Sequence, residues 1–251
     1  MKYFWRNKII YFLHIYKTGG TTLNDLLFKN FSSNEIVNLY IPYISTGQLG
    51  EIFKVRDNLQ ISGKTKIIYG HYAYGIHYKY SHLPYTYMCY VRDPFTRLVS
   101  TYYHLLRMDP DWQFQILSRL SPKYPSLEHV IENLPGFNEY ADFKGLQNQQ
   151  CMFITGETPA VIEKDQVYYA KMAIDNLDRD FSFIGLQEEF EESLQRIKKI
   201  LKLKTTEYAY KNLGTNKPES IENLKNLKEI VYEKSRADCL IYEYAKKRFY
   251  S

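Results

Sequence analysis

Phe12-Leu-His-Ile-Tyr-Lys-Thr-Gly-Gly-Thr-Thr-Leu23 is the stretch from which the fold can be read. It predicts a strand, a tight glycine turn and the start of a helix. Ile9, Ile10, Tyr11, Phe12, Leu13 and Ile15 form a short apolar and aromatic run, the pattern of a parallel strand buried on both faces. Gly19 and Gly20 open backbone conformations closed to other residues and let main chain approach a ligand closely. Thr21 or Thr22 can cap the following helix, whose Leu23, Leu26, Leu27 and Phe31 share one face. The loop N–H groups and the helix N-terminus favour an anion. Lys17 adds a positive charge, and Thr18, Thr21 and Thr22 add hydroxyl donors. The nucleotide triphosphate loop places its glycines before a Lys-Ser/Thr pair, whereas here Lys17 comes first. Taken alone, the stretch also suits an ordinary strand–turn–helix.

Working outward, Lys66–His71 reads as a second buried strand ending in Gly-His, followed by an aromatic loop that holds His77 and His82. Thr86–Val91 reads as a third strand and runs into Arg92-Asp93-Pro94. Asp93 suits an N-cap and Pro94 the first helical position. Phe95, Leu98, Val99, Tyr102, Leu105 and Leu106 mark that helix's buried face. A helix is expected around Thr46–Arg56, a surface insertion over Asp109–Pro125 and a short helix at Leu127–Asn133. Gln147, Asn148, Gln149 and Gln150 stand between apolar residues without an assigned element. Then come a helix over Gln166–Leu177, a strand at Phe181–Leu186, an amphipathic helix over Glu188–Leu203, a loop at Leu213–Pro218 and a helical remainder. No repeat or linker interrupts this series.

Strands alternating with helices predict an α/β fold, a single domain over residues 1–251 with a central parallel sheet flanked by helices. Such sheets bind ligands beyond the carboxyl ends of their strands. Lys17, His71 and Arg92 each fall at or just after a predicted carboxyl end. Arg92 can grip a phosphate bidentately, and Ser100, about two helical turns on, can donate to the same group. Individually, a surface ion pair and a neutral helix residue would account for both.

Composition sets the bounds. Hydrophobic residues make up 45% of 251, enough for a real core, and charged residues 24%, which is ordinary for a soluble chain. The 25 Tyr and 14 Phe suit cores and interfaces, and also stacking on sugars or bases. The net charge of +5 favours an anionic ligand but is too small and dispersed for a nucleic-acid binder. Cys89, Cys151 and Cys239 are far apart and odd in number, so reduced thiols are expected rather than disulfides or zinc. No His, Asp or Glu cluster has metal-ligand spacing, and no metal is expected. The run at Ile9–Ile15 is too short to span a bilayer, so no membrane anchor and a cytoplasmic location are expected.

Taken together, these segments resemble a known family. Tyr-Lys-Thr-Gly-Gly-Thr-Thr at 16–22 is similar to the 5′-phosphosulfate loop of sulfotransferases that use 3′-phosphoadenosine-5′-phosphosulfate (PAPS). Val-Arg-Asp-Pro-Phe-Thr-Arg-Leu-Val-Ser-Thr-Tyr at 91–102 is similar to their 3′-phosphate motif. Gly70-His71 resembles the heparan sulfate 2-O-sulfotransferase and uronyl sulfotransferase branch, in which the histidine is the base. Phe183–Leu194 and Leu240–Phe249 also resemble family segments. The resemblance implies a phosphate-loop (P-loop NTPase-like) sulfotransferase fold. It implies that Lys17, Thr18, Gly19, Gly20, Thr21 and Thr22 hold the 5′-phosphosulfate and that Arg92 and Ser100 hold the 3′-phosphate. Lys217 would lie in a loop closing over the nucleotide. His71 would deprotonate an acceptor hydroxyl at a pKa close to working pH, and Lys17 would stabilise the leaving phosphate, with no metal.

The acceptor stays open. An oligo- or polysaccharide hydroxyl is favoured by the Gly-His pair, with lipid, phenol and peptide tyrosine as alternatives. His77 and His82 are substitute candidates for the base. Rival readings are a small-molecule kinase on a related fold, for which a Lys-Ser/Thr loop and a magnesium-binding Asp are missing, and a non-catalytic sugar- or partner-binding module.

Overall fold

The computed structural model describes residues 8–39, 59–106, 126–133, 146–205, 207 and 224–251. Ile9–Leu13 form strand β1, buried along its whole length. Helix α1 spans Gly20–Asn30 and leads to β2, Ile36–Leu39. β3 is Ile67–Gly70, followed by a 3-10 turn at Ile76–Tyr80 and by β4, Tyr85–Val91. Helix α2 is Pro94–Leu106 and α3 is Leu127–Glu132. The chain continues through α4 (Gln149–Thr155), α5 (Pro159–Ile162), α6 (Gln166–Asp180) and β5 (Phe181–Leu186). It ends with α7 (Phe190–Leu201), α8 (Lys225–Lys234) and α9 (Arg236–Tyr250).

The five strands form one sheet in the order β2-β3-β1-β4-β5, parallel throughout. β1 lies at the centre, flanked by strands that come much later in the chain. The sheet is therefore first extended to one side of β1 and then to the other, and this switch point is where open α/β sheets place ligands. Register fixes the carboxyl edge: Leu13 lies beside both Gly70 and Cys89, and Val91 beside Leu186. The residues following these positions are His14, His71, Arg92 and Gln187.

Alternation along the strands supplies two cores. Tyr11, Leu13, Ile68, Tyr87, Cys89 and Ile184 pack on one face with Ala170, Ala173 and Leu177 of α6 and Ile241 and Phe249 of α9. Ile10, Phe12, Ile67, Tyr69, Met88 and Phe183 pack on the other with Leu23, Leu26 and Leu27 of α1 and Leu194 and Ile197 of α7. Two sides covered by helices explain why the strand sequences run apolar rather than alternating with polar residues.

Most of the expected elements are present. β2 falls in a segment to which no strand was assigned. Gln149–Thr155, also unassigned, is a fully buried helix. The start of α1 differs from the threonine-capped reading: Gly19, at φ 92°, is the N-cap, and no side chain caps the helix. Asp93 caps α2 as expected, its Oδ1 accepting from the Thr96 N–H at 2.9 Å. The expected helix at 46–56, insertion at 109–125 and loop at 213–218, with Lys217, lie outside the described residues.

Candidate active site

The loop after β1 is shaped by three local features. Lys17 sits in the left-handed region at φ 64°, and Gly19 at φ 92°. Thr18 is buried and turns its hydroxyl inward, donating to the Ile15 carbonyl at 2.9 Å. The backbone thus folds back on itself and delivers Gly20 as the first residue of α1. A Cβ on Gly19 would run into Gln187 Oε1, and one on Gly20 into His14 Nε2. Both positions therefore require glycine for space, and Gly19 also for its dihedral angle. Because no side chain caps α1, the N–H groups of its first turn are available to an anion at the positive end of the helix dipole.

Arg92 reaches this loop directly. Its Nη1 donates to the Lys17 carbonyl at 3.1 Å and its Nε to Thr96 Oγ1 at 3.1 Å. Two of the five guanidinium N–H groups are used in this way; among the described residues the other three have no hydrogen-bond partner and could meet a ligand. Burial pulls the Arg92 pKa down against the opposing pull of Glu188 and Asp93, yet an arginine keeps its charge. The segments predicted to hold the two ends of a nucleotide are thus joined by a hydrogen bond. Ser100 lies in α2, half-buried, two turns beyond Arg92.

His71 follows β3 and is 1% exposed. Its ring is stacked between His14, at 4.2 Å between centroids, and Tyr16, at 3.9 Å. Nδ1 lies 2.7 Å from the His14 carbonyl. A carbonyl can only accept, so Nδ1 carries the proton and Nε2 the lone pair. Burial lowers the His71 pKa from 6.5 to about 3, with the His14 carbonyl opposing. The expectation of a pKa close to working pH is thereby corrected: desolvation holds the ring neutral far below it.

His14 is fixed by similar logic. The Tyr69 hydroxyl donates to the Gly20 carbonyl at 2.6 Å and lies 2.9 Å from His14 Nδ1. With its proton on the carbonyl, the phenol oxygen accepts from His14 Nδ1–H. Burial, His71 and Lys17 together hold His14 well below the ordinary histidine range.

The substitute histidines lie elsewhere. His77 packs against Tyr85, at 4.1 Å, and its Nδ1 meets the Tyr87 hydroxyl at 2.8 Å. Tyr85 begins β4, so His77 belongs to the amino end of the sheet. Burial lowers its pKa to about 4. His82 is exposed and precedes β4. Neither joins Lys17 and Arg92.

Three contributors went unassigned in the sequence. Tyr16, two residues beyond His14, stacks on the His71 ring at 3.9 Å. Gln187, at the end of β5, presents a buried carboxamide oxygen with no hydrogen-bond partner among the described residues. Gln150 clamps the Arg92 backbone. The visible signal for Gln150 was a polar run set among apolar residues, which is how a buried polar network reads in one dimension.

The sulfotransferase family matches this chain over residues 4–245. The chain belongs to the sulfotransferase family. Among solved structures it is similar to the crystal structure of a sulfotransferase from Alicyclobacillus acidocaldarius, with 14% identity, a TM-score of 0.51, and coverage of 94% of this chain and 96% of that one. At that identity the likeness concerns the fold, and it agrees with the phosphate-loop-like architecture described above. No curated protein matches the sequence. Membership makes the chain a transferase of sulfuryl groups. The site fits the anionic donor that the family generally uses: an uncapped helix N-terminus, a cationic loop and a guanidinium with unused donors stand within one edge of the sheet. Among the described residues no group of three or more His, Cys, Asp or Glu could hold a metal ion. No helix among them is long and apolar enough to cross a membrane.

Proposed function

We propose that this sulfotransferase moves a sulfuryl group from PAPS to a hydroxyl of a carbohydrate acceptor. The observation that carries the reading is the Arg92–Lys17 hydrogen bond, since it brings the two motifs for the two phosphate-bearing ends of the donor into contact. Lys17, the backbone of Thr18 to Thr22 and the start of α1 would hold the 5′-phosphosulfate. Arg92 and Ser100 would hold the 3′-phosphate, and Lys217 would close over the nucleotide. The donor supplies an activated sulfuryl group. In the transfer, a bond forms between the acceptor oxygen and sulfur, and the bond between sulfur and the phosphate oxygen breaks. His71 takes the acceptor's proton at Nε2, the nitrogen left basic by the His14 hydrogen bond. Lys17 offsets the charge on the departing phosphate oxygen, and positioning supplies much of the remaining rate.

A carbohydrate acceptor is favoured by Gly70-His71 at the end of β3, the position of the base in the 2-O-sulfotransferase branch. Three free thiols, two of them buried, suit a reducing cytoplasm. The match over 4–245 favours reading residues 1–251 as one domain.

Calorimetry with the desulfated product, 3′-phosphoadenosine-5′-phosphate (PAP), tests the donor site. Binding should survive EDTA and should exceed that of plain AMP. Binding lost in EDTA, or blind to the 3′-phosphate, refutes the assignment; a preference for ATP with magnesium would point to a kinase. Sulfate addition from labelled PAPS to a panel of saccharides, phenols and peptides, followed by mass spectrometry, identifies the acceptor. On that acceptor, His71→Ala should keep PAP affinity and lower turnover by roughly 10²–10⁴, the usual share of a general base. Lys17→Ala should lower both.

A further inference from the structure

We infer that Gln150 is a positioning residue for the donor site, holding the backbone of Arg92 so that its guanidinium faces the 3′-phosphate. The inference rests on the reading of Arg92 as the 3′-phosphate holder. Arg92 stands one residue past the end of β4, where the sheet stops supplying partners. On the β5 side the last main-chain bond runs from the Gln187 N–H to the Val91 carbonyl, and β1 has already ended opposite Cys89. The peptide groups of Arg92 are satisfied instead by one side chain. The Arg92 N–H donates to Gln150 Oε1 at 2.8 Å, and Gln150 Nε2 donates to the Arg92 carbonyl at 2.9 Å. The carboxamide thus replaces a neighbouring strand for a single residue.

The clamp is itself held. Gln150 is fully buried at the start of α4, and its own N–H donates to Asp238 Oδ2 at 3.2 Å. The Cys151 N–H donates to the other carboxylate oxygen at 2.8 Å. Asp238, in α9, also pairs with Arg97 at 3.9 Å, both side chains being buried. Arg97 in turn donates to Gln149 Oε1 and the Leu146 carbonyl at 2.6 and 2.5 Å. A buried network of this kind, in which Arg97 Nε alone of these groups has no hydrogen-bond partner among the described residues, fixes geometry closely. With the Thr96 and Lys17 contacts, Arg92 is constrained at both backbone groups and at two guanidinium nitrogens. A ligand-holding side chain placed so firmly needs little reordering on binding.

The test compares wild type with Gln150→Met, which keeps length and removes both hydrogen bonds. Affinities for PAP and for adenosine 5′-phosphosulfate, which lacks the 3′-phosphate, are measured by calorimetry on the full chain. PAP affinity should fall by roughly ten- to a hundredfold, the range for losing a group that orients a ligand-holding residue, while adenosine 5′-phosphosulfate changes little. A purely structural role would weaken both nucleotides alike, and that result overturns the inference, as does an unchanged ratio. A wild type without any preference for PAP overturns the 3′-phosphate reading first and the inference with it. Hydrogen exchange on the wild type needs no variant. The Arg92 amide, though past the strand pairing, should exchange as slowly as amides within β4. Rapid exchange shows that the clamp does not persist and overturns the inference even where Gln150→Met fails to fold.

Discussion

Acidification should destabilise this protein through His71 in a way that can be isolated. In the folded chain burial lowers the His71 pKa from 6.5 to about 3. Between those values the unfolded chain binds a proton that the folded chain excludes, so stability falls as pH falls. The contribution is intact above about pH 6.5 and is lost progressively down to about pH 3. One excluded proton is worth ~1.4 kcal/mol per pH unit, so the window amounts to roughly 5 kcal/mol, as large as the whole stability of some domains. The perturbation is His71→Asn, whose amide can still donate to the His14 carbonyl but does not titrate. Urea denaturation from pH 7 to pH 4 gives the unfolding free energy of each protein. His77 is lowered in both proteins, and burial and Lys17 keep His14 low in both, so the difference between the curves reports His71 together with its smaller effect on His14. The wild type should lose about 2 kcal/mol more than the variant between pH 6.5 and pH 5. Parallel curves would refute the reasoning, because they would mean that His71 is already solvated in the native state. The same depression moves the acidic limb of turnover: with His71 as base, activity should persist well below the pH at which an ordinary histidine protonates.

Arg92→Ala should cost about 1.5–3 kcal/mol of PAP affinity, the worth of hydrogen bonds to a charged group, and Ser100→Ala less. Calorimetry with a nucleotide lacking the 3′-phosphate is the control, and equal losses would move both residues away from that phosphate. Gly20→Ala should destabilise the fold by ~1–3 kcal/mol by overpacking, since the new methyl meets His14, which Tyr69 holds in place; an unchanged urea midpoint would show that His14 yields. Asp238→Ala should cost about 3–5 kcal/mol, because it leaves Arg97 buried without its partner charge. A thermal melt within a degree of wild type would show that solvent reaches Arg97.

The sheet was legible where pattern and punctuation agreed. β1, the glycine turn and α1 follow from an apolar run, two glycines and leucines at helical spacing. Asp93-Pro94 announced α2, and Phe181–Leu186 is β5 residue for residue. β2 escaped because Ile36–Leu39 is short, lies at the sheet edge and carries an exposed Asn38. Gln149–Thr155 escaped because glutamines read as surface, whereas here their side-chain amides are spent on Arg92 and Arg97. A threonine cap was the reasonable local choice for α1, but a left-handed Gly19 leaves no room for one and frees the helix end. In the site, the positions of Lys17, His71 and Arg92 along the sheet edge could be anticipated from strand ends alone. The charge state of His71 could not, since it depends on burial under two rings from the segment just after β1, His14 and Tyr16, stacking on a residue more than fifty positions later. That contact exists only once the register of β1 against β3 is set.

The central place of β1 also shapes how the chain comes to be folded. Its neighbours are Ile67–Gly70 and Tyr85–Val91, and one face of the sheet is covered by α9, which ends at Tyr250. Synthesis at about 5–20 residues per second leaves this apolar strand without either partner for several seconds and one sheet face uncovered for longer still. No local hairpin can shelter it, because parallel pairing needs a crossover. Such non-local pairing folds slowly and exposes sticky intermediates. The residues that build the phosphate loop are thus translated before both strands that pair with β1 and are organised only after them, and a nascent chain halted before β4 carries an unpaired hydrophobic edge that invites aggregation or chaperone capture.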